Sequence, residues 1–354
     1  LNSLTETNDY TTYDSLPLVW RTLSAIYDTV TLVLVFLTAL KLHGKWTGLV
    51  AAALYAFAVL PLQIAHFATA DAMTAMWVAA TVYFAVRAQA DGHLPDFMLA
   101  GLASGAAVAS RANVAPIVLV ILFAAFIRAL PLFDARLPRN ERNRAFIEGV
   151  GGLFAAGVVS LFFFRIFNPY AFVGPSFFSL SLNERWLDDL RQAAYETSPL
   201  NSAPPQWQWV GRTRYFFAWW NMVMWGMGLA FGLTAWAAWT FSAWRVIRGR
   251  RGAMLNAPLV LWILVYFGWV GGNFVMSMRY YLPLYSAFAV LAAWGLVALV
   301  QHAWRTRSAW RKLTAAGALG GVIGFTLLWG VMFTNIYRAP ATYVQASYWM
   351  WENA

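Results

Sequence analysis

Apolar runs of near-membrane length recur along the whole sequence, and short turns rich in arginine and lysine separate successive pairs of them. That alternation leaves few folds open. A helix satisfies its backbone hydrogen bonds internally and can cross hydrocarbon, whereas irregular chain facing lipid cannot. About 20 apolar residues suffice for one crossing. Strands of a membrane barrel would appear as segments of about 10 residues with period-2 alternation, and the sequence has none. The 354 residues are 60% hydrophobic and 11% charged, against about 25% charged in soluble domains. So much apolar surface cannot be hidden in a soluble core of that size. The expected fold class is all-α: a polytopic membrane protein with about nine transmembrane helices in one transmembrane domain, residues 1–354.

Charge gives the orientation. Lys41 and Lys45, the turn at 89–95, and the basic stretches 136–144, 245–251 and 305–312 all fall on one side when the spans alternate. The positive-inside rule makes that side cytoplasmic. The net charge of +10 is therefore assigned to topology, and no nucleic-acid partner is expected. The opposite side receives the polar residues 1–16 with Asp9 and Asp14, and the turns 61–71, 110–113, 168–214 and 277–282. It also receives 337–354, read as the start of an outer-face C-terminal extension. Within 168–214, Trp186, Leu187 and Leu190 recur at helical spacing. A short amphipathic helix near 182–194 is expected to lie along the interface and roof an outer cavity. The Gly/Ala-rich segment 96–109 suits close helix packing. The absence of cysteine excludes disulfides, thiolate metal sites and cysteine nucleophiles. No phosphate-loop or dinucleotide motif is present.

Rare polar residues converge on the outer face. Asp28 lies inside the first apolar run, where an ionisable side chain is either a functional group or an interface residue reached by water. His66 and Asp71 stand five apart across a turn that enters a helix. Asp71 there is equally read as an N-cap. Together the two could position a hydroxyl or a phosphate-bound divalent ion, although the spacing matches no metal motif. Arg111 sits with Asn113 between two apolar runs, and Arg279 precedes Tyr280 and Tyr281 at the mouth of another. A single arginine at such a level is explained by snorkelling. Two of them facing His66 and Asp71 favour an anionic ligand, because the guanidinium fork suits phosphate.

The segments RTLSAIYD (21–28), GLVAAALY (48–55), PLQIAHFATADAM (61–73), ASRANVAP (109–116) and MRYYLPLY (278–285), in that order, resemble the GT-C glycosyltransferases. The closer likeness is to the family-39-like branch, relatives of the protein O-mannosyltransferases and of the aminoarabinose transferase of lipid A. The resemblance implies a GT-C-like helical bundle in the plasma membrane. Such enzymes move a sugar from a polyprenyl-phosphate donor to an acceptor on the non-cytoplasmic face. It implies that His66 and Asp71 line the active cavity and that Arg111, Asn113, Arg279, Tyr280 and Tyr281 bind substrate. A divalent metal ion is the one cofactor it allows. The family's main acidic base follows its first transmembrane helix, ahead of the start of this sequence. Asp9 and Asp14 are poor substitutes, so a fragment trimmed at both ends is expected. The alternative is a non-catalytic subunit of a larger membrane complex derived from that fold, with other membrane subunits as partners. A transporter would instead place polar residues deep in broken spans.

The topology has a direct test. Single cysteines placed in 136–144, 245–251 and 305–312 should resist an impermeant thiol reagent in intact cells, and those in 168–214 should react. Labelling of the basic turns, with protection of 168–214, would invert the map.

Overall fold

The computed structural model describes residues 16–174, 176–201, 203–250, 252–339 and 342–353. Asp9 and Asp14 lie outside the described residues. Helix α1 (Leu16–His43) stops at Gly44, whose φ of +87° turns the chain into α2 (Lys45–Phe57). Ala58 is extended, and α3 (Val59–Ala65) leaves at 60° to α2. Pro61 stands in the first turn of α3, where a missing N–H costs nothing. Residues 61–65, expected as loop, are therefore helical, and the connection to α4 (Asp71–Asp91) begins only at His66. Gly92 ends α4 in the left-handed conformation. Then follow α5 (Leu94–Ser110), α6 (Val118–Ala129), α7 (Arg139–Phe167), α8 (Glu184–Glu196), α9 (Phe216–Asn221), α10 (Leu229–Ile247), α11 (Ala257–Val270), α12 (Tyr285–Trp304), α13 (Ala309–Thr334) and α14 (Thr342–Asn353). Among the described residues the only strand-like pairing is one isolated bridge, Phe172 with Leu182.

The class is all-α and integral to the membrane, as expected. Among the described residues, six helices are long and apolar enough to cross a bilayer, and seven if the bent pair α2–α3 is one span. The other apolar segments of the expected alternation correspond to α4, α5 and α10, which would bring the total to ten where about nine were expected. The first carries Asp71, Arg87 and Asp91, the second has 17 residues, and the third is rich in tryptophan. The expected C-terminal extension contains α14.

Helix α12 runs through the middle, buried along most of its length against α1, α2, α10 and α13. Phe288 on α12 meets Trp236 of α10 with ring centroids 4.8 Å apart, and Trp236 meets Phe267 of α11 at 4.9 Å. Buried Trp262 donates its indole N–H to the Pro283 carbonyl at 3.0 Å, which satisfies the polar end of the ring. Helices α7 and α13 do the opposite. They expose Phe154, Val158, Leu328, Val331 and Met332 outward, a surface whose natural solvent is lipid.

The tightest pairing is α5 on α7. A Cβ added at Gly101 would lie 2.3 Å from the Ala156 carbonyl oxygen, and one at Gly105 would lie 2.3 Å from that of Ser160. The glycines four apart let the two backbones touch, as membrane helices without a hydrophobic driving force require. Ser104 and Ser160 share a hydrogen bond of 3.0 Å across the seam. Gly101→Leu or Gly105→Leu should lower stability by about 1–3 kcal/mol, read as thermal unfolding in detergent. Gly157→Ala, where a Cβ meets open space, should leave the transition unchanged or slightly raised.

Candidate functional site

The site begins where α4 starts and α5 ends. Thr74 and Ser110 hydrogen-bond through their hydroxyls at 2.9 Å and hold these two ends together. Asp71, with 4% of its side chain exposed, pairs with Arg111 Nη1. A buried carboxylate needs such a partner, because an uncompensated charge there is strongly destabilising. The N-cap reading of Asp71 is corrected: Ala70 is the N-cap and makes no side-chain cap bond, while Asp71 is the first residue of α4 and turns to Arg111. In that first turn the carboxylate also suits the helix dipole.

Tyr280 joins the two arginines. Its ring centroid is 5.0 Å from the Arg111 guanidinium carbon and 5.4 Å from that of Arg279. The guanidinium groups therefore border one aromatic ring, and each gains a cation–π contact. The Tyr280 carbonyl accepts from the Tyr266 hydroxyl at 3.0 Å, and Asn113 Nδ2 reaches that hydroxyl at 3.5 Å. Asn113 Oδ1 is buried and has no hydrogen-bond partner. Tyr281 departs from its expected role: it is fully buried, donates to the Val270 carbonyl at 3.4 Å and packs in the core.

Arg111, Asn113 and Tyr280 line a cavity of about 680 Å³. Arg214 and Asn273 complete its polar wall, and Leu190, Ala193 and Ala194 of α8 roof it. The roof helix is the one expected near 182–194, shifted by two residues. Asn183 caps it by accepting from the Arg185 N–H at 3.1 Å. Trp186, Leu187 and Leu190 are half-buried, while Arg185, Asp188, Asp189 and Arg191 face outward.

A second cavity, about 410 Å³, is apolar: Val59, Leu60, Trp225, Met278 and Trp329 form its walls. Met278 belongs to this cavity and Tyr280 to the polar one, and Arg279 stands between them in the chain with its guanidinium against the Tyr280 ring. His66 lies on the apolar side. Its ring stacks on Tyr337 at 4.2 Å, and Tyr337 abuts Phe333 of the apolar wall. His66 and Asp71, neighbours in sequence, are thus not brought together as a pair. Arg214 and Asn273 escaped the sequence reading because loop arginines and asparagines are common, and nothing local marks these two.

Residues 15–138 match the family of dolichyl-phosphate-mannose-protein mannosyltransferases. Across 97% of this chain the fold superposes on the Archaeoglobus fulgidus oligosaccharyltransferase AglB in complex with an inhibitory peptide and a dolichol-phosphate, with TM-score 0.59 and 16% identity. The same archaeal enzyme with Zn and sulfate matches over 97% of the chain at TM-score 0.54 and 18% identity. ArnT from Cupriavidus metallidurans bound to undecaprenyl phosphate matches over 89% at TM-score 0.50 and 15% identity. The fold is that of the GT-C glycosyltransferases. This chain spans 48%, 45% and 62% of the length of those three structures. No curated protein sequence matches it.

Within the GT-C fold the donors for a metal ion are misplaced for the cavity. Asp91, His93 and Asp96 bring ligand atoms within 4.8 Å of one another, but they stand at the α4–α5 turn, at the other end of α4 from Asp71. Lys41 already binds Asp91 at 2.8 Å, and Arg87 binds Asp96 at 3.0 Å. These cations cancel the charge a divalent ion would need. At the cavity itself, the Asp71 carboxylate is held by Arg111. The residues there do not fit a metal.

The buried pair makes a measurable prediction. Asp71→Ala and Arg111→Ala should each cost about 3 kcal/mol in unfolding free energy, because each strands its partner. The double variant should cost clearly less than their sum. Simple additivity in a double-mutant cycle would mean the pair does not couple α4 to α5.

Proposed function

We propose that this chain moves a sugar from a polyprenyl-phosphate carrier to an acceptor on the non-cytoplasmic face of the plasma membrane. One observation carries the reading. A polar, arginine-lined cavity and an apolar cavity are lined by residues two apart in the chain, Tyr280 and Met278, with Arg279 between them and against the Tyr280 ring. A carrier with an isoprenoid tail and a sugar phosphate head has both characters in one molecule. The fold supports the reading, since structures with the same fold hold dolichol-phosphate and undecaprenyl phosphate.

In this mechanism the acceptor attacks the anomeric carbon from the side opposite the phosphate, with inversion, and the polyprenyl phosphate leaves. Cations fixed beside the leaving oxygen stabilise charge as it develops, without reorganising. Arg279 contacts the phosphate. Arg111, locked by Asp71 and stacked on Tyr280, forms the floor beside it. The ion-paired Asp71 is a weak base, so its part is to orient Arg111. Asn113, on the same cavity wall as Arg111, borders the sugar. Tyr281 acts through packing, and His66, on the apolar side, takes no part in the transfer step. A non-catalytic subunit that only holds the carrier is favoured by a different observation: among the described residues, no carboxylate lines the polar cavity.

Binding and transfer separate these readings. The purified chain should bind a polyprenyl phosphate. Arg279→Ala should weaken binding roughly tenfold to a hundredfold, from the loss of one charge-assisted contact worth about 1.5–3 kcal/mol. Arg279→Lys should recover only part, having lost the fork. Transfer of a radiolabelled sugar from its polyprenyl phosphate supports the enzyme, and tight binding without transfer supports the subunit. Absence of binding would discard both.

A further inference from the structure

Arg214 reaches the polar cavity from the long outer loop, beside Asn273. The turn that delivers it is unusual. Tyr215 has φ +59° and ψ −52°, and the Phe216 N–H donates back to the Arg214 carbonyl at 2.6 Å. This is a γ-turn of the rare positive-φ kind. Among the described residues Tyr215 is the only non-glycine at positive φ. Such backbone persists only where its surroundings over-determine it, and here the C-terminal end of α11 does so. The Tyr215 N–H donates to the Gly271 carbonyl at 2.9 Å, and its hydroxyl donates to the Gly268 carbonyl at 3.1 Å. The ring fills the space that side chains at 271 and 272 would need: a Cβ at Gly271 would meet it at 2.8 Å and one at Gly272 at 2.7 Å. The grip on Tyr215 therefore fixes Arg214 against the same α11 end that carries Asn273.

The charges in the cavity then sort themselves. Arg111 is cancelled by Asp71. Among the described residues, Arg214 and Arg279 have no carboxylate partner, and no carboxylate lines the cavity. Two uncompensated positive charges remain, Arg214 on the wall and Arg279 against the ring of Tyr280, which lines the same cavity. We propose that Arg214 and Arg279 together form the phosphate site, and that the site is matched to a phosphate monoester carrying two negative charges rather than to a phosphodiester carrying one. The inference rests on the carrier reading and deepens it. In the transfer, the bond from the anomeric carbon to the phosphate oxygen breaks and its electron pair leaves on phosphate. The acceptor oxygen bonds the anomeric carbon and yields its proton to water in the open cavity. The phosphate thereby passes from one negative charge toward two. A site matched to the second charge binds the departing group more tightly than the donor, which is the direction that accelerates the step.

The test uses the purified chain with two probes, decaprenyl phosphate and its methyl phosphodiester. The wild type should bind the monoester about tenfold or more tighter than the diester. Arg214→Gln should remove that preference, weakening the monoester about tenfold while changing the diester by less than about threefold. Arg214→Lys should keep part of the preference. Tyr215→Phe, without the bond to Gly268, should reduce it in the same direction but less. Arg214 is exposed, so thermal unfolding of Arg214→Gln should match the wild type; a lowered transition would mean a structural role and count against the proposal. Unchanged monoester affinity in Arg214→Gln, with weakened binding in Arg279→Ala, would overturn this inference and leave the carrier reading intact. Equal wild-type affinity for the two probes would overturn the charge match. Failure of the wild type to bind either probe would overturn both.

Discussion

A backbone that crosses hydrocarbon has no water to bond to, and this fixes where the chain may depart from regular helix. The departures gather around the two cavities. Ala58 breaks α2 from α3 beside the apolar chamber, and a π-helical turn at Met222–Gly226 forms part of the same wall. Arg111 is extended at the end of α5, Tyr215 makes its γ-turn, and the segment after α11 runs irregularly along the polar chamber. Orphaned peptide groups are tolerated where they border a cavity, so the places where the helices fail mark the places where a ligand fits.

The same solvent governs the charges. Several ionisable side chains at the ends of the bundle have an opposite partner: Lys41 with Asp91, Arg87 with Asp96, Arg128 and Arg144 with Glu148, Arg111 with Asp71. Asp28, inside α1, instead accepts from the Tyr55 hydroxyl at 2.8 Å. Within the polar chamber the contrast is local: Arg111 is paired with Asp71, and Arg214 on the same wall has no carboxylate beside it among the described residues.

What the sequence made legible was what short-range chemistry decides. Apolar run length gave the all-α membrane class, and the spacing of Trp186, Leu187 and Leu190 gave the roof helix to within two residues. The small residues of 96–109 announced a close helix contact, though not that its partner is α7. Arg111 and Tyr280 were found because an arginine or a tyrosine pair beside an apolar run is rare. The losses were all long-range. Asp71 reads as a helix cap until Arg111, forty residues later, is seen to face it. His66 looks like its partner until Tyr337 takes the imidazole ring from the far end of the chain. Arg214 is one loop arginine among several until the grip of α11 on Tyr215 is known. The crossing count was least legible, because α4, α5 and α10 trade hydropathy for charge, small residues or tryptophan in the interior of the bundle.

Residues 278–280 lead from the lining of a chamber with the solvent quality of oil to the lining of one with that of water. A molecule that fills both must be an amphiphile, and an amphiphile does not arrive from bulk solution. It searches within the plane of the leaflet, already oriented, with its head at the level of the polar chamber. Occupancy of such a paired site follows the mole fraction of the amphiphile among its neighbouring lipids rather than its molarity in any aqueous compartment. The composition of the surrounding membrane thereby becomes part of the binding equilibrium.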